Sequence, residues 1–480
     1  MATYSVLVRD IIGRQSEQLT LKRCLESKRP ELIAIHGRRR IGKTFLIRQF
    51  YHRHLVFEFS GIHQQSMKNQ LKNFHLKLQS YYAPTTQPKD WLEAFQNLER
   101  YLNTLMGTRK KVVFLDEFPW LDTRRSGFLS AFDNFWNNYA SKRTDLIVVV
   151  CGSAASYMIQ NIIQSKGGLH NRITQQIHLE PFNLFETELM LKHNRVKLSR
   201  YDIMLMYMAI GGIPHYLEKI LPGESVAQII DRLCFQKNGF LRTEFNAIFA
   251  SLFDYHDNHE RILRLLASVR KGFSRNEILS KIKLKSGGTL SKTLTELEAS
   301  GFIQKYMPYK SSKDALYRLT DEYSLFYIRF IESTVPSTGP VWLNLGNQNN
   351  FKIWCGFTFE TVCIKHVEQI KEALKIRGIH STNGSWTSKR TDEKVQIDLL
   401  IDRDDRVINL CEMKFYNAPF EIDKKSVENI QRKVSVFSSE TKTKKNVFVT
   451  FISVYGIKKN MYSHQFIQNE LTIDALFTPL

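Results

Sequence analysis

The chain has 480 residues, of which 43% are hydrophobic and 12% aromatic, and its formal charge is +21. That is enough apolar material for two or three packed cores, and no stretch approaches the roughly 18 uninterrupted apolar residues of a membrane helix, so a membrane protein is not expected. The cationic excess favours a polyanionic partner, nucleic acid before anionic lipid.

The six cysteines are scattered without a CxxC pair, so neither a zinc site nor a disulfide framework is indicated, and a reducing cytoplasm fits. The opening "MATYSVLVRD" lacks an apolar core behind a basic start, so no export signal is expected.

From residue 31 short β-branched runs alternate with helical patterns: "ELIAIHG", "KTFLIRQFYHR", "LVFEFS", "MKNQLKNFHLKLQSYY", "KVVFLDE", "FLSAFDNFWNNYA" and "DLIVVVCGS". Buried apolar strands separated by helices predict a parallel α/β sheet, because parallel strands need crossover helices and are covered on both faces. After about residue 190 the text is helical to about 255. Residues 274–320 read helix, helix and two short strands, with Leu290, Leu294 and Leu297 forming one buried stripe, a winged helix-turn-helix pattern. The linker "STVPSTGPVW" (333–342) precedes a last domain.

"GRRRIGKT", Gly37 to Thr44, satisfies GxxxxGK[ST] between a strand and a helix. Gly37 and Gly42 permit a tight loop whose N–H groups face phosphate oxygens at a helix N-terminus. Arg38, Arg39, Arg40, Ile41 and Phe45 complete the expected nucleotide contacts; Lys43 should bridge the β- and γ-phosphates and Thr44 should offer its hydroxyl to Mg²⁺. In "KKVVFLDEFPW" the strand ends in Asp116, expected to hold Mg²⁺ through water, and Glu117, expected to polarise the attacking water. Ser153, after the next strand, is placed to sense the γ-phosphate. Arg172 in "LHNRITQQIHLEPF" is either a phosphate contact or a surface arginine.

Together "IIGRQSEQL", "IHGRRRIGKTFLI", "VFLDEFPWL", "CGSAASYM" and "GGIPHYL" resemble the archaeal-type P-loop ATPase family, a branch of the AAA+/STAND class, over about residues 10–330. The resemblance implies a core with a catalytic glutamate, a helical lid and a winged helix. It places Gly13 and Arg14 near the adenine and Pro214 in a nucleotide-contacting element of the lid. The family commonly has a "PLYGR"-like stretch where this chain has "GGLHNR", which sets the role of Arg172 apart.

Near the C-terminus "VQIDLLIDRDDRVINLCEMKF" reads as a hairpin. With the turn at Asp404, residue 398 lies opposite 410; one pairing step away it lies opposite 412. In either register Asp398, Glu412 and Lys414 share one face and the apolar Ile397, Leu399, Ile401, Cys411, Met413 and Phe415 share the other. The polar trio is either an ordinary exposed face or a site in which carboxylates fix Mg²⁺ and a lysine assists phosphodiester cleavage. Preceded by "WCGFTFETVCIKHV", this stretch resembles the PD-(D/E)xK nuclease-like domain, over about residues 345–480. That resemblance makes Asp398 the central metal acid, Glu412 and Lys414 the ExK pair, and Glu360 a further metal acid on the preceding helix.

Between residues 260 and 321 there are 13 Lys/Arg and 6 Asp/Glu, a net of +7, including Lys281, Lys283, Lys285 and Lys292 beside the expected recognition helix. Such a surface suits salt-sensitive phosphate contacts, or is simply solvated. The expected architecture is therefore α/β: a P-loop NTPase core (1–190), a helical lid (191–255), a winged helix-turn-helix (256–335) and an α/β restriction-endonuclease-like domain (336–480). The expected cofactors are ATP and Mg²⁺ and the expected partner is nucleic acid, DNA first, in the cytoplasm. The alternative is a nucleotide-dependent switch or scaffold that binds DNA, a protein or a second copy of itself without cleavage.

Overall fold

The computed structural model describes residues 10–153, 155–163, 171–253, 255–283, 287–311, 315–346, 348–389 and 394–480. Lys285 and residues 167–170 of "GGLHNR" lie outside the described residues. The chain forms two compact units, Met1–Glu180 with Ala299–Gly301, and Pro181–Glu298 with Phe302–Leu480.

The first unit is built on five parallel strands: β1 (Glu31–His36), β2 (Leu55–Ser60), β3 (Lys111–Asp116), β4 (Leu146–Gly152) and β5 (Gln175–His178), in the order β2-β3-β4-β1-β5. β1, β3 and β4 are buried along their whole length, which is why each reads as a continuous apolar run. β5 was absent from the expected elements. It is an edge strand in which only Ile177 of "QQIH" is buried, so neither an apolar run nor a clear alternation marks it.

Three amphipathic helices cover one face of the sheet. Leu71, Phe74 and Leu78 of Met67–Gln79, Trp91, Phe95 and Leu98 of Trp91–Thr104, and Phe128, Phe132 and Phe135 of Phe128–Asn138 recur at helical spacing and pack on Phe57, Val113, Leu115 and Val148. Ser66 and Asp90 cap the first two by accepting from Asn69 N and Glu93 N. At such buried ring positions a truncation to alanine costs about 3–5 kcal/mol.

The second unit opens with helices, among them Leu184–His193 and Arg200–Ile210. Next come the helices Asp257–Ala267, Arg275–Ile282 and Gly287–Ala299, with an antiparallel sheet of β6 (Phe273–Ser274), β7 (Ile303–Tyr306) and β8 (Leu316–Leu319) in the order β6-β8-β7. Leu290, Leu294 and Leu297 are all buried, as their spacing requires. The final sheet runs β13-β12-β11-β10-β9, from β9 (Ser381–Thr387), β10 (Gln396–Arg403), β11 (Val407–Lys414), β12 (Asn446–Ser453) and β13 (Asn469–Thr472). Its first three strands form an antiparallel meander, and β12 and β13 continue it in parallel.

The boundaries expected at residues 191, 256 and 336 fall inside this unit, and contacts run across them. Phe326 and Phe330, before the linker, meet Trp342 and Trp354 after it, with ring centroids 5.3–5.8 Å apart. Lys365 Nζ reaches Glu322 at 2.6 Å, and His366 Nε2 accepts from Leu184 N at 3.0 Å. These long-range contacts tie the opening helices, the three-helix element and the terminal sheet together.

Candidate functional site

Strand order places the first cluster. β4 lies between β1 and β3, so the residue after β4 sits between the loop that follows β1 and the acids that end β3, all at the C-terminal edge of a parallel sheet. The loop itself is shaped by Gly37 at φ 145° and Gly42 at φ 92°. A Cβ on Gly37 would stand 2.2 Å from the Leu179 carbonyl oxygen, so only glycine fits. Gly42 precedes the helix Lys43–Phe50, whose first-turn N–H groups are directed into the loop.

Lys43 is buried and donates to Gly37 O and Arg38 O, both at 2.9 Å, and to Ser153 Oγ at 3.0 Å. Burial pulls its ammonium below the ordinary lysine range, against the upward pull of Cys151, Glu117 and Asp116. Ser153 Oγ in turn donates to Glu117 Oε1 at 3.0 Å, so one hydroxyl joins the lysine to the glutamate. Glu117 adopts φ 43°, in the left-handed region, a strained setting that turns its side chain back toward β4. Thr44 Oγ1 donates to Asp116 Oδ2 at 2.8 Å. The paired hydroxyl and carboxylate beside a glycine loop are a donor set suited to Mg²⁺ and a triphosphate.

The remaining loop residues differ in setting. Arg38 and Ile41 are buried, Phe45 is exposed, Arg40 has φ 70°, and the Arg39 guanidinium lies 5.5 Å from the centre of the Trp120 ring. Arg14, after Gly13, is buried and donates to Ile41 O at 3.2 Å, so it braces the loop from behind. Arg172 is exposed in the turn before β5. Pro214 opens the helix Pro214–Leu217 of the second unit. His36, not singled out by the sequence, ends β1 stacked on His178 with centroids 4.7 Å apart; burial lowers its pKa to about 4.

The second cluster lies on the terminal sheet. Leu399 pairs with Cys411 and Leu400 with Leu410; the ladder ends there, because β10 shifts register against β9 between Ile397 and Leu400, on either side of Asp398. Ile397, Leu399, Ile401, Cys411 and Met413 are buried, while Phe415 at the strand end is only partly so. The face carrying Glu412 is not a solvated one, because Leu400, Ile408 and Leu410 are fully buried against Val436 and Phe437 of the helix Lys424–Thr441, and Ile397, expected on the opposite face, joins them across the register shift.

Here each acid has a cationic partner. Glu412 is buried and receives Lys414 Nζ at 2.7 Å and Lys433 Nζ at 2.6 Å. Burial alone would raise its pKa, but the two lysines outweigh it and hold the carboxyl below the usual range. Asp398 accepts from Arg270 at 2.8 Å and from Gln396 at 2.7 Å, and Glu360 accepts from the same Arg270 nitrogen. Among the described residues no group of three or more His, Cys, Asp or Glu side chains is placed to hold a metal ion. Lys433 and Arg270 had no sequence signal, since they arrive from 21 and 128 positions away.

Residues 12–220 match the family model described as an ATPase domain predominantly from Archaea. Over these residues the chain is similar to that family's ATPase domains. An uncharacterized protein of Methanocaldococcus jannaschii is 25% identical over 432 residues, 88% of this chain and 91% of that protein, so the similarity extends well beyond the ATPase domain. The Walker-type ATPase of Pyrococcus abyssi superposes with a TM-score of 0.49 at 17% identity, covering 67% of this chain and 96% of that one. The ORC2 protein of Aeropyrum pernix, solved as ADPNP–ADP complexes, gives 0.41 at 14% identity, covering 72% and 98%. No helix among the described residues is long and apolar enough to cross a membrane.

Proposed function

We propose that the chain is a Mg²⁺-dependent ATPase whose nucleotide state governs a nucleic-acid-binding winged helix and a nuclease-like terminal domain. The observation that carries the ATPase reading is the pair of links Thr44 to Asp116 and Lys43 to Ser153 to Glu117. Backbone N–H groups of the loop Gly37–Thr44 would bind the phosphates, and Lys43 would exchange its carbonyl partners for phosphate oxygens. Thr44 and Asp116 would hold Mg²⁺, which supplies charge neutralisation of the triphosphate when bound. Glu117 would orient and accept a proton from the attacking water, with Ser153 fixing its carboxylate. Gly13, Arg14, Arg172 and Pro214 would complete the nucleotide contacts, as the family resemblance implies.

The helix pair Arg275–Ile282 and Gly287–Ala299 followed by the β7–β8 hairpin supports the winged-helix reading. Lys283, an exposed residue between those helices, and Lys292, 75% exposed, are available to phosphates. The mixed terminal sheet, with Asp398 on β10 and Glu412 on β11, supports the nuclease-like reading. A second reading is a switch or scaffold without cleavage, favoured by the cation partner that each acid already has.

Plasmid and linear DNA incubated with the protein, Mg²⁺ or Mn²⁺, and ATP separate the two. Cutting that disappears in Asp398→Ala supports the nuclease. Inactivity on varied DNA and RNA supports the switch. Nucleic-acid affinity that does not weaken with salt would contradict the basic-surface argument.

A further inference from the structure

Arg270 is carried by the turn between the helix Asp257–Ala267 and β6, outside the terminal domain whose acids it meets. One of its terminal nitrogens donates to both Glu360 Oε2 and Asp398 Oδ2, so two carboxylate oxygens from different elements converge on a single positive centre. The acids are 12% and 18% exposed and Arg270 is 46% exposed, so the carboxylates are recessed while the guanidinium that bridges them faces solvent on its other side. The turn is held in place from two sides. Tyr306 Oη donates to Lys271 O at 2.5 Å, and Gly272 at φ 77° lies where a Cβ would stand 2.0 Å from Tyr317 O.

The hairpin β7–β8 extends the same contact. Tyr309, in the turn after β7, donates its N–H to Ser385 O of β9 at 2.7 Å and its hydroxyl to Asp402 Oδ2 of β10 at 2.8 Å. Burial holds Arg318 of β8 below the ordinary arginine range, against the upward pull of Tyr306 and Asp398. The basic element thus covers the acid face through a hairpin, a turn and one guanidinium.

We propose that Arg270 is a built-in plug of the terminal acid site: its guanidinium holds the place of a divalent cation between Glu360 and Asp398, and the metal enters only when the turn is withdrawn. This rests on the reading of these acids as metal ligands. A guanidinium and a divalent cation compete for the same oxygens, so the apparent metal affinity is the intrinsic affinity multiplied by the fraction of molecules in which the turn is withdrawn. The same displacement frees the hairpin for nucleic acid, which couples substrate engagement to metal loading.

The test is Mn²⁺ titration of the full chain without nucleotide, read by isothermal calorimetry and by electron paramagnetic resonance of free Mn²⁺. Asp398→Ala defines which binding belongs to this site. The expected result is that Arg270→Ala and Arg270→Gln bind Mn²⁺ at least about 10-fold more tightly than the parent, and that adding Asp398→Ala or Glu360→Ala removes the gain. Equal Asp398-dependent affinity in the parent and both Arg270 variants overturns the plug and leaves the metal site standing. If no variant shows Asp398-dependent Mn²⁺ binding, with folding verified by circular dichroism, the metal site itself falls and the plug with it.

Discussion

Thr44 Oγ1 donates a 2.8 Å hydrogen bond to Asp116 Oδ2, joining the first turn of the helix after the glycine loop to the end of a strand 72 residues later. The bond spans two strands that are not neighbours, since β4 separates β1 from β3. Removing either partner should therefore disable the phosphate site without disturbing the sheet. Thr44→Ala and Asp116→Asn are expected to lower steady-state ATP turnover by about 10²-fold or more, with an unchanged thermal midpoint. Lys43→Ala should abolish nucleotide binding, read by a fluorescent ATP analogue.

Glu117 and Ser153 should separate binding from chemistry. Glu117→Gln keeps the shape and removes the base, so turnover should fall by about 10²–10⁴-fold while nucleotide affinity holds. Ser153→Ala leaves Glu117 in place but loses its 3.0 Å anchor, and a smaller loss of about 10-fold is expected. Single-turnover kinetics with both variants checks the order.

Gly37 tests the loop's shape. Alanine there meets the Leu179 carbonyl at 2.2 Å and is forced to φ 145°, so Gly37→Ala should destabilise the first unit by about 2–4 kcal/mol. Denaturant unfolding read by tryptophan fluorescence measures the loss.

His366 gives the second unit an acid sensitivity. Its Nδ1 donates to Val362 O, its Nε2 accepts from Leu184 N, and burial lowers its pKa from 6.5 to about 4. A folded pKa below the unfolded one contributes stability above pH 6.5 that is lost as the pH falls toward 4, up to about 3 kcal/mol. His36 adds the same sign in the first unit. Thermal melts from pH 7 to 4.5 should show a steep decline for the parent and a shallower one for His366→Gln.

Glu412 should respond at lower pH. Its folded pKa lies below the ordinary 4.5, so its contribution is present above that value and is lost as the pH falls through the folded one. Lys433→Met removes the 2.6 Å partner and should cost about 1–3 kcal/mol at pH 7, while shifting that loss to higher pH. Urea unfolding of both proteins at pH 7 and 4 reads both effects.

Local chemistry made the first unit legible. Apolar runs announced β1, β3 and β4 because both faces of a parallel strand are buried, and GxxxxGK[ST] announced the loop because its glycines answer to backbone geometry alone. The hairpin β10–β11 was legible for its alternating apolar residues, but the burial of Leu400, Ile408 and Leu410 carries no local signal, since it comes from the helix Lys424–Thr441. The polar edge strand β5 carried no signal because one partner on one side suffices to hold it.

By itself the sequence marked β1, β3 and β4, the hairpin β10–β11, the glycine loop, and Asp116 and Glu117 at the end of β3. Each depends on residues close in the chain or on a fixed repeat of two. Only the tertiary structure decided what those acids meet. Ser153 falls between Lys43 and Glu117 because of strand order, and Arg270 reaches Asp398 across 128 residues because a turn is braced by Gly272 and Tyr306. Charge pairing at such separations is fixed by packing, and no local pattern encodes it.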